Sequence, residues 1–223
     1  MAIDCSHKKA PSANYYSTGA AKYVRSLKVI APPAPPVHGV RTDAKARAVW
    51  KILPRFTELR DLTLVFSNWT GPAKIWEWLR PAATHVRQLN LVFASFTCSA
   101  DFFEFVAMFP ELESLSLTNI SFGTAVLTAI PVAPPEGLRE LFVRGNIVPP
   151  EVTCAFALWL CRLPRPVFPQ FRVKWEVGQP ECLVPIVDGL GPRLAQLELP
   201  LWSARGIPSG EHSIPTSWFA KQC

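Results

Sequence analysis

A six-residue phrase with apolar residues at its first, fourth and sixth positions returns at nearly constant spacing along this chain. The clearest copies begin at Leu59, Val86, Leu112 and Leu138. These starting points are 27, 26 and 26 residues apart. Looser copies begin at Val24, Phe168 and Leu194. A fixed period of this length indicates an array of similar units, each stacked on the next, rather than one irregular globule.

Each unit is expected to contain one short strand and a helical return. Within the phrase, the second and third apolar residues alternate with exposed ones, as a strand with one buried face requires. Between phrases the spacing becomes helical, as in the i, i+3, i+4 series Phe102, Phe105 and Val106. Such units are typical of leucine-rich repeats. We therefore predict an α/β leucine-rich repeat solenoid of about six to seven strand-plus-helix units of roughly 26 residues, with a parallel sheet on its concave face.

The extent of the repeat sets the predicted domain boundaries. Residues 1–22 are expected to be a flexible basic leader, residues 23–202 the solenoid, and residues 203–223 a C-terminal tail. Helical returns are predicted from residue 43 to 53, from Pro72, from Asp101, over 151–163 and, more weakly, over 182–190.

The net charge of +6 is concentrated in the N-terminal quarter. Residues 1–60 hold eleven Lys and Arg against three Asp and Glu, a balance of +8, and the remainder holds twelve against fourteen. A basic flank attracts acidic partners, nucleic acid or an anionic surface, so binding to nucleic acid or an anionic surface is an alternative function. The cations are scattered rather than clustered, which makes a nucleic-acid partner the less favoured choice.

Cysteine usage and hydropathy indicate a reduced compartment. The six cysteines form no C-x-x-C pair, and no apolar block follows Met1 as a signal peptide would require. The longest apolar run, Cys154 to Cys161, has eight residues, far short of the roughly 20 that a membrane span needs. We expect a cytoplasmic or nuclear protein with no membrane span.

Motifs of catalysis and metal binding are missing from the sequence. There is no phosphate-binding glycine loop, no H-E-x-x-H and no G-x-S-x-G, and the four histidines are far apart. We therefore expect no enzyme, no cofactor and no metal site.

The polar positions of the predicted strands are the candidate binding surface, because solenoids bind through their concave face. Four of the seven residues that follow a lead position are Arg. Charge and aromatic side chains are densest late in the array, so a protein partner is expected to bind there. The predicted binding residues are Arg139, Phe142, Arg144, Arg172, Lys174 and Trp175. In the alternative interpretation, these arginines pair across strands with acids such as Asp61, Glu113 or Glu140 on a solvated face.

Three units carry a resemblance to a known family. The segments 56–64, 85–91 and 109–122 resemble the leucine-rich region of fungal F-box-type proteins, and residues 23–29 look like the first strand of such a region. The resemblance implies a non-catalytic module that recognises the substrate of a ubiquitin ligase. In that family an N-terminal F-box docks on a Skp-type adaptor. Only 22 residues precede the first predicted strand here, so that adaptor is expected only if an F-box is missing from this chain.

Overall fold

A computed structural model describes the strands of the repeat and part of the segments between them. The described residues are 2–4, 23–30, 53–70, 74–124, 132–147, 156, 159–160, 162, 171–176 and 184–199. The predicted tail, 203–223, and most of the predicted leader lie outside this part of the chain.

Eight strands form one parallel sheet, in which each strand pairs with the next along the chain. They are β1 (Ala2–Asp4), β2 (Ser26–Ile30), β3 (Asp61–Thr70), β4 (Gln88–Cys98), β5 (Ser114–Thr124), β6 (Glu140–Ile147), β7 (Phe171–Glu176) and β8 (Leu194–Glu198). The prediction of an α/β fold with a parallel sheet is therefore confirmed. The first strand, β1, was not predicted, because its three residues lie in a segment without apolar periodicity.

The recurring apolar residues meet in the register that the sequence predicts for β2 to β6. Leu27 pairs with Leu62, Leu62 with Leu89, Leu89 with Leu115, and Leu115 with Leu141. All five side chains are buried. A unit on its own would expose this face to water, so each strand depends on its neighbours to cover it.

Three helices are described on the returns. They are α1 (Lys74–Ala83), α2 (Ser99–Ala107) and α3 (Val184–Leu190). Each overlaps a predicted helical return. Pro185 lies in the first turn of α3, where its missing N–H would have no helical partner. Of the return predicted before β3, residues 53–55 form a short 3-10 turn and the rest lies outside the described residues. Of the return predicted over 151–163, the residues described as helical are Phe156, Trp159 and Leu160.

Aromatic side chains fill the space between the sheet and these returns. Phe96 of β4 packs edge-on against Phe102 of α2, with ring centroids 5.2 Å apart. Phe103 packs against Trp159 at 5.1 Å, and both are essentially inaccessible to solvent. Phe102, Phe105 and Trp159 all belong to the buried core.

Strands β4 and β5 are longer than the short strand that the phrase predicts, and each bends near its middle. Each has 11 residues. Phe93 in β4 and Asn119 in β5 take left-handed backbone conformations, with φ of 57° and 52°. Beyond the bend the strands pair again, and Phe96 stacks on Phe122. The bend directs the second half of each strand toward α2.

The last strand departs from the predicted buried ladder. Leu197 pairs with Val173, as a ladder residue should, but its side chain is 37% exposed, and Leu199 is 53% exposed. In the described part of the chain no strand follows β8, so its apolar face lacks the neighbour that covers every earlier strand.

Candidate functional site on the open face of the sheet

The face of the sheet opposite the core is here called the open face. Its side chains lie in three rows that cross the strands, because parallel strands in register bring equivalent residues side by side. The first row holds Ser26, Asp61, Gln88, Ser114, Glu140 and Arg172. The middle row holds Lys28, Thr63, Asn90, Ser116, Phe142 and Lys174. The third row holds Ile30, Val65, Val92, Thr118 and Arg144.

A line of charged residues, here called the arginine rim, precedes the first row. Its members are Arg25, Arg60, Arg87, Glu113 and Arg139. Backbone hydrogen bonds hold them in line. The carbonyl of Arg25 accepts from the amides of Arg60 and Asp61, at 2.8 and 2.9 Å, and the same pattern recurs at Arg60, Arg87 and Glu113. The rim side chains therefore repeat at the strand spacing of about 4.8 Å.

One rim arginine is neutralised by the neighbouring unit. Arg87 lies 3.4 Å from a carboxylate oxygen of Glu113 and 3.9 Å from one of Glu111. His85 also contacts Glu111, at 3.3 Å. All these groups are well exposed, so the pairs contribute little to stability. Their effect is to remove positive potential from the centre of the rim.

Five of the six predicted binding residues lie on β6 and β7, and Arg139 directly precedes β6, but these two strands pair in a different register from the one predicted. The repeat phrase placed Phe171 beside Leu141 and Val173 beside Val143. The structure pairs Leu141 with Val173 and Val143 with Trp175, a shift of two residues. Phe142 consequently lies beside Lys174, and Arg172 lies beside Glu140.

The corrected register gives the cations on β7 acidic neighbours. Arg172 lies 3.6 Å from Glu140, and Lys174 lies 3.7 Å from Glu198. On β6, Arg144 pairs in backbone register with Glu176, whose side chain lies outside the described residues. This is the cross-strand pairing that the sequence left open as an alternative for the arginines. The side chain of Trp175 lies outside the described residues.

Arg139 and Phe142 differ from the rest of the predicted patch. Arg139 is exposed on the rim, and within the described residues it has no ion pair. Phe142 is half-buried in the middle row between Ser116 and Lys174. These two residues can therefore offer a guanidinium and an aromatic ring to a partner without first breaking an ion pair.

The N-terminal half of the open face carries apolar residues that the sequence did not single out. Ile30, Val65 and Val92 are adjacent in the third row and half-buried. Phe93 follows them and is 49% exposed. The six-residue phrase ends just before this row, so a search restricted to the phrase overlooks it. A sequence signal for this aliphatic row does exist, because an aliphatic residue directly follows the third apolar position of the repeat in three successive units.

The described side chains of the open face include guanidinium, ammonium, carboxylate, amide, hydroxyl and apolar groups. No group of three or more His, Cys, Asp or Glu side chains with the geometry of a metal site occurs there. No helix of the described ranges has the length and apolarity needed to cross a bilayer. Exposed guanidinium, ammonium and apolar groups can recognise carboxylates and aliphatic side chains.

Comparisons with protein-family models, with curated proteins and with solved structures gave no match. The class of protein that fold and site define is an α/β protein with a sequential parallel sheet, one face of which carries exposed and half-buried charged, polar and apolar side chains.

Proposed function

We propose that this chain is a non-catalytic protein-binding module of the leucine-rich repeat type, and that its open face is the binding surface. One observation carries the proposal. Exposed or half-buried side chains of β2 to β7 lie in continuous rows across six strands, and they include both cations and apolar groups. Such a mixed surface suits a protein partner better than a small molecule, which would need a concave pocket.

The register supports the repeat class. From β2 to β6 each strand repeats the same pair of buried residues and the same rim hydrogen bonds. The spacing of 26 or 27 residues from β3 to β6 falls within the range of leucine-rich repeats. The resemblance to F-box-type proteins adds a specific role, namely selection of a substrate for a ubiquitin ligase. That role requires an adaptor-binding segment in addition to the open face.

Within this surface, Arg139 and Phe142 are the best-supported anchors. An exposed arginine without an ion pair gives up little to bind a carboxylate, and an aromatic ring in the centre of a face is a frequent source of binding energy. Arg172 and Lys174 must exchange an existing partner for a new one, so they are expected to contribute less.

Site-specific photo-crosslinking in cells tests the proposal. A benzophenone side chain replaces Phe142 on the open face in one variant and Glu104, exposed on α2, in a matched control. We expect crosslinks from position 142 to a small set of proteins that position 104 does not give. The additional change Arg139→Glu should reduce these crosslinks several-fold. Identical crosslinks from both positions, or none from position 142, would contradict the proposal.

A further inference from the structure

Three cations on or directly beside the N-terminal half of the open face have no acidic partner among the described residues. Arg25, Lys28 and Arg60 are exposed, and in the described residues none lies within ion-pair distance of a carboxylate. Asp61 is the one acidic side chain that β2 to β4 place on this face. Three cations against one carboxylate leave this half of the face positive.

The same half carries the aliphatic row Ile30, Val65 and Val92. It crosses three adjacent strands, a width of about 10 Å at a strand spacing of about 4.8 Å. Phe93 follows Val92 in sequence and is 49% exposed. The backbone of Phe93 is held at φ 57°, a conformation that is unfavourable for an aromatic residue.

The spacing of these groups matches one secondary structure. The rim lies five residues before the aliphatic row, or roughly 16 Å along the strands. An α-helix with its side chains is about 10–12 Å wide, so a helix lying across the strands fits between them once the arginines reach inward. Its pitch of about 5.4 Å is close to the strand spacing, so successive turns would face successive strands. An extended peptide running along a strand would reach the rim at one point only.

We infer that the N-terminal half of the open face binds an acidic amphipathic helix of a partner protein. Carboxylates along one flank of that helix contact Arg25, Arg60 and Lys28, and aliphatic side chains on its adjoining face pack on Ile30, Val65, Val92 and Phe93. The inference rests on the proposed protein-binding function and adds the partner class and the location of its site.

Fluorescence anisotropy with the full chain and a synthetic helix tests this inference. The probe is a fluorescein-labelled 21-residue peptide of Leu, Glu, Ala and Gln, with Leu on one helix face and Glu along one flank. A scrambled peptide of the same composition lacks this arrangement. We expect saturable binding of the amphipathic peptide and about tenfold weaker binding of the scrambled one.

Two variants and one control locate the site. Arg60→Glu replaces attraction by repulsion, and Phe93→Gly removes the ring at a position whose φ suits glycine. Each is expected to weaken binding by about tenfold. The control is Arg80→Glu, the same charge change at an exposed residue on α1, and it should leave binding within about twofold. Thermal unfolding of all three variants shows whether they are folded.

Several results would overturn the inference. Equal binding of both peptides would exclude recognition of an amphipathic helix. Equal losses in Arg60→Glu and Arg80→Glu would show that only overall charge matters. A single-stranded oligonucleotide that binds more tightly than the peptide and displaces it would point to nucleic acid instead. If crosslinks from position 142 identify a partner while the peptide fails to bind, the inference fails and the proposed function stands. If position 142 gives no specific crosslinks, the proposed function fails whatever the peptide does.

Discussion

At the scale of single residues, one backbone device recurs at the bend of three successive strands. Phe93, Asn119 and Gly145 occupy equivalent places in β4, β5 and β6, and all three have positive φ. This left-handed conformation costs little for glycine and asparagine, whereas it is energetically unfavourable for phenylalanine. The sequence could have suggested the bend at Gly145 and Asn119, whose residue types favour it. Nothing in the sequence marks Phe93, because an aromatic residue at the end of a strand is ordinary.

Gly145 gives the most specific stability prediction. A Cβ added there would lie 2.9 Å from Cγ of Asn119, and φ is +72°. We expect Gly145→Ala to lower the free energy of unfolding by about 2–3 kcal/mol, from the backbone conformation and the overlap together. Gly191→Ala is the control, because Gly191 has φ +49° but no atom within 4 Å of an added Cβ. It should cost about 1 kcal/mol. Equal losses in urea denaturation would show that the contact with Asn119 is unimportant.

At the scale of elements, helices were easier to predict than strand register. The apolar spacing of α2 is unambiguous, so the sequence located it to within two residues. For β7 the repeat predicts that Phe171 and Val173 pair with the two buried residues of β6. In the structure, Val173 and Trp175 are the residues that pair with them. A shift of two residues keeps every side chain on its own face, so alternation alone cannot detect it. The predicted register placed Arg172 beside Phe142, whereas in the structure it lies beside Glu140.

Engineered cysteine pairs test this register directly. In the variant Phe142→Cys, Lys174→Cys, the two residues are cross-strand neighbours, with Cα atoms about 5 Å apart, within the range that a disulfide spans. In Phe142→Cys, Arg172→Cys, a two-residue offset raises the separation to about 8 Å, beyond that range. We expect oxidation to link 142 to 174 and not to 172, as measured by peptide mapping of the digested protein. Preferential linkage of 142 to 172 would restore the register that the repeat phrase predicted.

At the scale of the whole molecule, periodicity predicted the sequential parallel sheet because stacking is the only way such units can bury their apolar faces. It could not predict the binding surface equally well. The sequence favoured the C-terminal patch, where cations and aromatics are dense, but cross-strand acids pair with Arg172 and Lys174 there. The cations and the aliphatic row of the N-terminal half were overlooked although the predicted register of β2 to β4 is correct, because charged and aromatic residues are denser in the C-terminal half of the array.

Hydroxyl-radical footprinting tests most directly whether the open face is a binding surface. The rate of side-chain oxidation is compared between the purified chain and intact cells of its native source. Val184, which is 46% exposed and lies on the helix α3 rather than on a strand, provides the internal reference. If a partner occupies the face, the oxidation rates of Phe93 and Phe142, each divided by the rate of Val184, should be several-fold lower in cells than in the purified chain. If all three residues change by the same factor, the open face is unoccupied in cells and the central claim is wrong.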